Sequence, residues 1–334
     1  REYVGFPEPL VQREMEATSE MMHCIECMLC VSACPAYGED FVGPAPLVQL
    51  ARFELDPRDE GRRVETAVKV GGVEQCVSCF QCTRVCPTGI NVFRNAVEEM
   101  RERGRRAGIV KKPSLRSRFF GNIHTAAKVG SAFAPLSNAV AKTKLFHIAL
   151  EGVMGIDRNR PIPEFSRETF GSWYKRRGER NAGGKPVLLF HDTYASYMEV
   201  EIGKAAVEVL EAAGYRVLID ERRKCCGRPM ISKGMMDAAR KNAEHNVKVL
   251  GRYAREGVPI VGLEPSCILT IRDDYPILVP GEEAEVVSGQ TYTFEEFITE
   301  VALKEHPEFV EKFTERKGKL LLHGHCHAKT LIGV

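Results

Sequence analysis

The spacing of apolar residues changes character near residue 185. Upstream, the period is helical. Leu47, Leu50 and Ala51 share one helix face ahead of a break at Asp56-Pro57. A second helix is expected over residues 62–70, and residues 1–22 carry a helical pattern. Phe93, Ala96, Val97 and Met100 follow i, i+3, i+4, i+7, a further apolar stripe. Residues 101–182 read as a connector with helical pieces. Its apolar residues between Ala126 and Val153 are expected to pack in a core, with a helix pair or a partner interface as the alternatives.

Downstream, short apolar runs alternate with helical stretches. Strands are expected over residues 187–190, 216–220, 258–264 and 319–323. Helices are expected over 199–213, stopped by Gly214, over 235–253 and over 294–304. Strand and helix in alternation with short links predict an α/β layered unit with a largely parallel sheet. Residues 184–191 are echoed by 318–323, 134 positions later. A second copy of the unit is therefore expected to begin at Gly318 and to run on the order of 100 residues past Val334. Arg1, where a start methionine would stand, suggests that this end is cut too. The organisation read this way is an α+β multidomain chain. A helical domain covers 1–100, a basic and helical connector 101–182, an α/β domain 183–317, and the start of a second repeat 318–334.

Composition adds bounds. The chain has 334 residues, 44% of them apolar, enough for two domains with cores. No apolar run approaches the length of a membrane span, and residues 1–10 carry no signal-peptide pattern. Net charge is +2, but between Arg101 and Arg118 stand eight cations and one acid, Glu102. The cations are Arg101, Arg103, Arg105, Arg106, Lys111, Lys112, Arg116 and Arg118. A solvated linker face is one reading, and docking to an acidic partner subunit or to anionic lipid headgroups is the other. Nucleic acid is not an expected partner, because no binding motif accompanies the charge.

The chemistry is carried by cysteine. Cys24, Cys27, Cys30 and Cys34 read C-x-x-C-x-x-C-x-x-x-C, closed by Pro35. Cys76, Cys79, Cys82 and Cys86 repeat the spacing, closed by Pro87. This is the ligand run of a ferredoxin with two clusters, in which the fourth cysteine of each run serves the other cluster. Three thiolates at this spacing wrap three corners of a [4Fe–4S] cube, and the fourth corner needs a ligand from elsewhere in the chain. The expected sets are Cys24, Cys27, Cys30 and Cys86 for cluster one, and Cys76, Cys79, Cys82 and Cys34 for cluster two. Zinc sites usually use paired C-x-x-C knuckles, so the triple run argues against zinc and against disulfides. Cluster thiolates need a reducing compartment, so a cytoplasmic location is expected, with attachment to the inner face of the membrane as an open alternative.

Four cysteines remain. Cys225 and Cys226 follow the second expected strand, and Cys267 follows the third. Ligands of α/β proteins gather outside the carboxyl ends of parallel strands, so these three are candidate ligands of a further iron–sulfur cluster. The plainer reading is that they are small buried hydrophobes. Cys326 is the fourth candidate. It is flanked by His323, His325 and His327, which would share the opposite face of a regular strand.

The two halves resemble known families. Residues 24–100 resemble the iron–sulfur protein of succinate dehydrogenase and fumarate reductase, and the HdrC-like module of heterodisulfide reductase. The matching stretches are 24–35, 41–45, 51–60 and 76–91. Many members of the first family lack the middle cysteine of the second run and hold a [3Fe–4S] cluster there. Cys79 is present here, which implies a full [4Fe–4S] cluster. Residues 185–334 resemble the cysteine-rich CCG family, through Cys225-Cys226-Gly227, Glu264-Pro265-Ser266-Cys267 and His323-Gly324-His325-Cys326-His327. That family includes the B and D components of heterodisulfide reductase, the C component of anaerobic glycerol-3-phosphate dehydrogenase, and the iron–sulfur proteins of glycolate and lactate oxidases. The joint architecture resembles the B component of thiol:fumarate reductase. The full CCG pattern has cysteines where this chain has Thr193 and Glu264, which leaves three where the noncubane cluster of heterodisulfide reductase uses five.

The resemblance implies an electron-transfer subunit that works beside an FAD flavoprotein, within a hetero-oligomer that can include a membrane subunit or quinone. No G-x-G-x-x-G, P-loop or acid–base constellation is present, so hydride chemistry is assigned to the partner and no catalytic residue is expected here. The alternative is a catalytic heterodisulfide or thiol reductase acting at the CCG cysteines. A zinc-bearing scaffold is a third, weaker reading.

Overall fold

The helical stripes expected upstream close on one another. A computed structural model describes residues 12–110, 113–314 and 318–333. The first eleven residues, with the signal-peptide reading, and Lys111 and Lys112 of the basic run lie outside the described residues. Pro44 opens the helix Pro44–Glu54, where its fixed φ suits the first turn and its missing N–H costs nothing. The helix buries Leu47, Val48 and Ala51 in a core with Phe93, Ala96, Val97 and Met100. That last stripe begins as a π turn, Phe93–Glu98, and continues as the helix Glu99–Arg106. The helices Gln12–Met22 and Arg63–Lys69 complete the core through Met21 and Ala67.

The chain forms two units, Arg1–Lys112 with Cys326–Val334, and Pro113–His325. The second unit opens with helices and then builds a sheet of four parallel strands, β1 Pro186–Phe190, β2 Arg216–Leu218, β3 Ile260–Gly262 and β4 Thr291–Thr293. Their order is β2-β1-β3-β4, with Val187 opposite Val217, Leu189 opposite Val261 and Ile260 opposite Thr291. Val187 and Leu189 pack with Val207 and Leu210 of the helix Val200–Ala212. Leu188 and Phe190, on the other face of β1, are equally buried. A strand buried on both faces reads as a continuous apolar run, which is why β1 is legible in the sequence. β4, a Thr-Tyr-Thr triplet that runs straight into a helix capping box at Thr293 and Glu296, carries no such run and goes unpredicted.

Two expectations fail. Residues 319–323 form no strand. A strand needs a neighbour for its backbone groups and a face to bury, and here Leu320, Leu321 and Leu322 are 78–96% exposed. His323, His325 and His327 consequently share no strand face, and His327 lies in the helix Cys326–Leu331. Nor do the large apolar residues of 126–153 pack in a core. Val129, Phe133, Leu136, Leu145 and Ile148 are exposed, because small residues (Ala127, Gly130, Ser131, Ala134) take the inward positions. The basic run is also broken up. Arg101 is 1% exposed, and Arg103, Arg105 and Arg106 pair with Glu99 and Glu102 at 2.7–3.1 Å.

Candidate functional site

The two cysteine runs fold into the same loop twice. Glu26 and Met28 in the first, and Ser78 and Phe80 in the second, have φ between 55° and 64°. Left-handed backbone is costly for side chains of this size, by about 1–2 kcal/mol each. Among the described residues only one other non-glycine, Asn181, adopts it. Alternating right- and left-handed residues turn successive N–H groups inward and make an anion-binding nest of the kind seen around iron–sulfur clusters. Each loop then enters a one-turn helix, Leu29–Ser32 or Gln81–Arg84, with Met28 or Phe80 at its N-cap.

Two cavities divide the eight thiols. One is lined by Cys24, Cys27, Cys30 and Cys86. The other is lined by Cys34, Cys76, Cys79 and Cys82, with Phe41, Phe80 and Phe93 as its apolar wall. Among the described residues no three His, Cys, Asp or Glu side chains close on a point as a single metal ion demands. Four thiols spread around a cavity suit a cube with four separate iron corners better than a zinc ion, whose sulfurs all sit about 2.3 Å from one centre. Burial pushes the thiols of Cys30 and Cys76 up to about 11, and raises Cys79 and Cys82 as well. Cys86 moves the other way. Burial raises it, but the Thr88 hydroxyl, 3.3 Å from its sulfur, and backbone N–H groups of Thr88, Ile90 and Gly89 outweigh that.

The second loop rests on groups that spacing does not reveal. Arg101 donates from Nη1 to the Cys76 carbonyl at 3.3 Å and from Nη2 to Ser78 Oγ at 3.2 Å, and pairs with Glu98. Burial works against its charge, but Glu98, Cys76 and Glu74 together outweigh it and the guanidinium stays ionised. Arg101 follows Val97 by four positions, so a cation on the apolar stripe is the available signal. His327 Nε2 lies 3.0 Å from the Ser78 carbonyl, and its ring meets Phe80 edge-on. Gln81 donates to the Cys326 carbonyl at 3.4 Å, which places the exposed Cys326 beside this loop.

In the second unit β1 lies between β2 and β3, so the chain leaves β1 and β3 in opposite directions and opens a crevice at their carboxyl ends. Cys225, Cys226 and Cys267 lie close enough there for Cys226 to perturb both other thiols. All three are raised, Cys225 mainly by its neighbour Cys226 and then by burial. The Cys-Cys backbone is clamped from outside. Tyr275 donates to the Cys226 carbonyl at 3.0 Å, Asn246 to the Tyr275 hydroxyl at 2.8 Å, and Asn242 to the Cys225 carbonyl at 3.1 Å. Gly227 then turns the chain at φ 93°, a conformation that favours glycine. Arg223, buried, donates to Ser196 at 2.7 Å and lies 3.0 Å from His191 Nδ1. His191 is held neutral by burial and by Arg223.

Thr193 and Glu264, which stand where the CCG pattern has cysteines, are used structurally. Thr193 opens a short helix and bonds His124 Nδ1 at 3.0 Å. Glu264 caps the helix Pro265–Leu269, accepting from Ser266 Oγ at 2.6 Å, and lies 3.6 Å from His325.

Comparison with known proteins gives the same division. Residues 20–90 match the 4Fe-4S dicluster domain, and residues 188–272 the CCG cysteine-rich domain. The chain is 29% identical over 257 residues to the C component of the anaerobic glycerol-3-phosphate dehydrogenase of Escherichia coli, covering 76% of this chain and 62% of that protein. It is 26% identical over 275 residues to the B component of the fumarate reductase (CoM/CoB) of Methanothermobacter marburgensis, covering 79% and 45%. It is 28% identical over 153 residues to lactate utilization protein A of Bacillus cereus, covering 44% and 60%. The chain thus spans less than two thirds of the length of these relatives. No solved structure matches it. Residues 91–187 fall between the two matches, and the chain joins a 4Fe-4S dicluster domain to a CCG cysteine-rich domain.

Proposed function

We propose that this chain is the iron–sulfur subunit of a multi-subunit oxidoreductase. It relays single electrons between a flavoprotein partner and an acceptor, either the CCG site or a quinone. The observation that carries the reading is the partition of eight thiols into two cavities, each taking three cysteines from one run and the fourth from the other. Cys24, Cys27, Cys30 and Cys86 hold cluster one, and Cys76, Cys79, Cys82 and Cys34 hold cluster two. Bound cubanes supply reversible one-electron chemistry, and the protein sets their potentials through charge, hydrogen bonds and exposure. The names of the relatives, components of a glycerol-3-phosphate dehydrogenase and a fumarate reductase, support a role inside a larger assembly. Its setting is the cytoplasmic side, with the flavoprotein supplying hydride chemistry.

Iron and sulfide analysis with electron paramagnetic resonance, on anaerobically purified protein, tests this. About eight irons per chain in two interacting [4Fe–4S] signals are expected. Zinc without labile sulfide would overturn it. Iron clearly above eight would place a further cluster on Cys225, Cys226 and Cys267. That convergence favours a second reading, a thiol or heterodisulfide reductase acting there. Turnover of a heterodisulfide with reduced dye and no flavoprotein would support that second reading, and turnover only with the flavoprotein would exclude it.

A further inference from the structure

The helices Ile123–Ala132, Ala134–Ala141 and Lys144–Met154 of the second unit are inside out. Their inward residues are small. Gly130 lies so close to the Phe165 ring that a Cβ there would sit 2.6 Å from it, and Ser131 donates to the Ser166 carbonyl at 2.5 Å. Asn138 fixes the same segment, donating to and accepting from the Phe165 backbone at 2.9 Å. The large apolar residues point to solvent. Val129, Phe133, Leu136 and Val140 recur at i, i+4, i+7, i+11 and are 45–66% exposed. On the third helix Leu145, Ile148 and Val153, at i, i+3 and i+8, are 50–77% exposed. Scattered exposed leucines are ordinary, but an outward stripe on consecutive helices marks an interaction surface.

Charge decides what covers it. The sequence has no Asp or Glu from Arg103 through Leu150, while Arg116, Arg118, Lys128, Lys142 and Lys144 stand on or beside these helices. Of these five, only Lys142 has a carboxylate partner among the described residues, Glu164 at 2.7 Å. Protein interfaces are depleted in lysine, whereas helices that lie in a membrane surface combine an apolar stripe with a basic flank. At 8–11 residues, none of the three could span a bilayer, which takes about 20. No helix of the described chain is long and apolar enough to do so.

We propose that these three helices form a monotopic docking surface for anionic lipid, with Val129, Phe133, Leu136, Val140, Leu145 and Ile148 seated at the headgroup–acyl boundary. Lysine and arginine at the rim pair with lipid phosphate. This places the electron-transfer role proposed above at a membrane surface, but rests on different residues, so that cluster content and lipid binding can fail separately.

The test is co-sedimentation of the cluster-loaded chain with phosphatidylcholine vesicles, with and without phosphatidylglycerol. Binding to the anionic vesicles at least tenfold tighter than to neutral ones, and weakened by salt, is expected. The double variant L136E/I148E should lose at least tenfold in binding while its iron content and visible spectrum stay those of the parent. K128Q/K144Q should lose only the anionic preference. No uptake of the loaded chain by anionic vesicles, or equal uptake of L136E/I148E, would overturn the proposal. So would capture by an acidic soluble protein in the absence of any vesicle binding.

Discussion

The two cysteine loops share spacing and backbone angles but not surroundings. Around the first, Ile25, Met28 and Leu29 are 47–66% exposed and Cys27 faces solvent. Around the second, Cys82, Ser78 and Phe80 are buried, with Arg101 beneath and His327 alongside. Ligand geometry is thus a local property, repeated with the sequence, whereas the dielectric and the nearby charge are set by whatever packs against the loop. Two clusters held alike would differ in potential and in access to oxidants.

Cys82→Ser should break the pair most severely, with cluster two lost or converted and cluster one largely kept. Intact spin-coupled signals from two [4Fe–4S] clusters in the reduced variant would show the ligand assignment to be wrong. Phe80→Gly comes next. It relieves a left-handed residue but removes a ring that is 2% exposed, and should destabilise the unit by about 2–3 kcal/mol net in denaturant titration. Arg101→Leu takes away the closer partner of Glu98 and leaves it only Arg105 at 3.5 Å, at a cost of about 2 kcal/mol, below that of a buried charge left wholly unpaired. It also removes the cation next to the Cys76 loop, and should lower the potential of cluster two by on the order of 60 mV, a tenfold change in a one-electron ratio. An equal shift of cluster one in a redox titration would undo the contrast. Under limiting oxidant, cluster one should disappear first, as followed by its resonance signal. Met28→Gly is the mildest test. Met28 is half exposed, so relief of its left-handed backbone should stabilise the first loop by about 1 kcal/mol, opposite in sign to the equivalent change at Phe80.

Much of this is legible in the sequence, for identifiable reasons. β1 is readable because both its faces are buried, and the helix Met236–Arg255 because its apolar period runs for five turns. The convergence of Cys225 and Cys226 with Cys267 is expected from strand ends, and the order β2-β1-β3-β4 supplies the crevice. Residues 319–323 mislead because an apolar run predicts a strand only if a neighbouring strand exists. The stripe through Val129, Phe133 and Leu136 misleads in another way. Periodicity says that apolar residues share a face but not which way the face points.

Cysteine spacing by itself pointed to the cluster type and to the repeated loop, because iron–thiolate geometry is local and tolerates little variation. Tertiary structure alone decided that Arg101 goes inside with Glu98, that three thiols meet at a strand switch point, and that an apolar helical face looks outward. Each of these depends on which surfaces find a partner, and that is a property of the packed chain that no window of sequence contains.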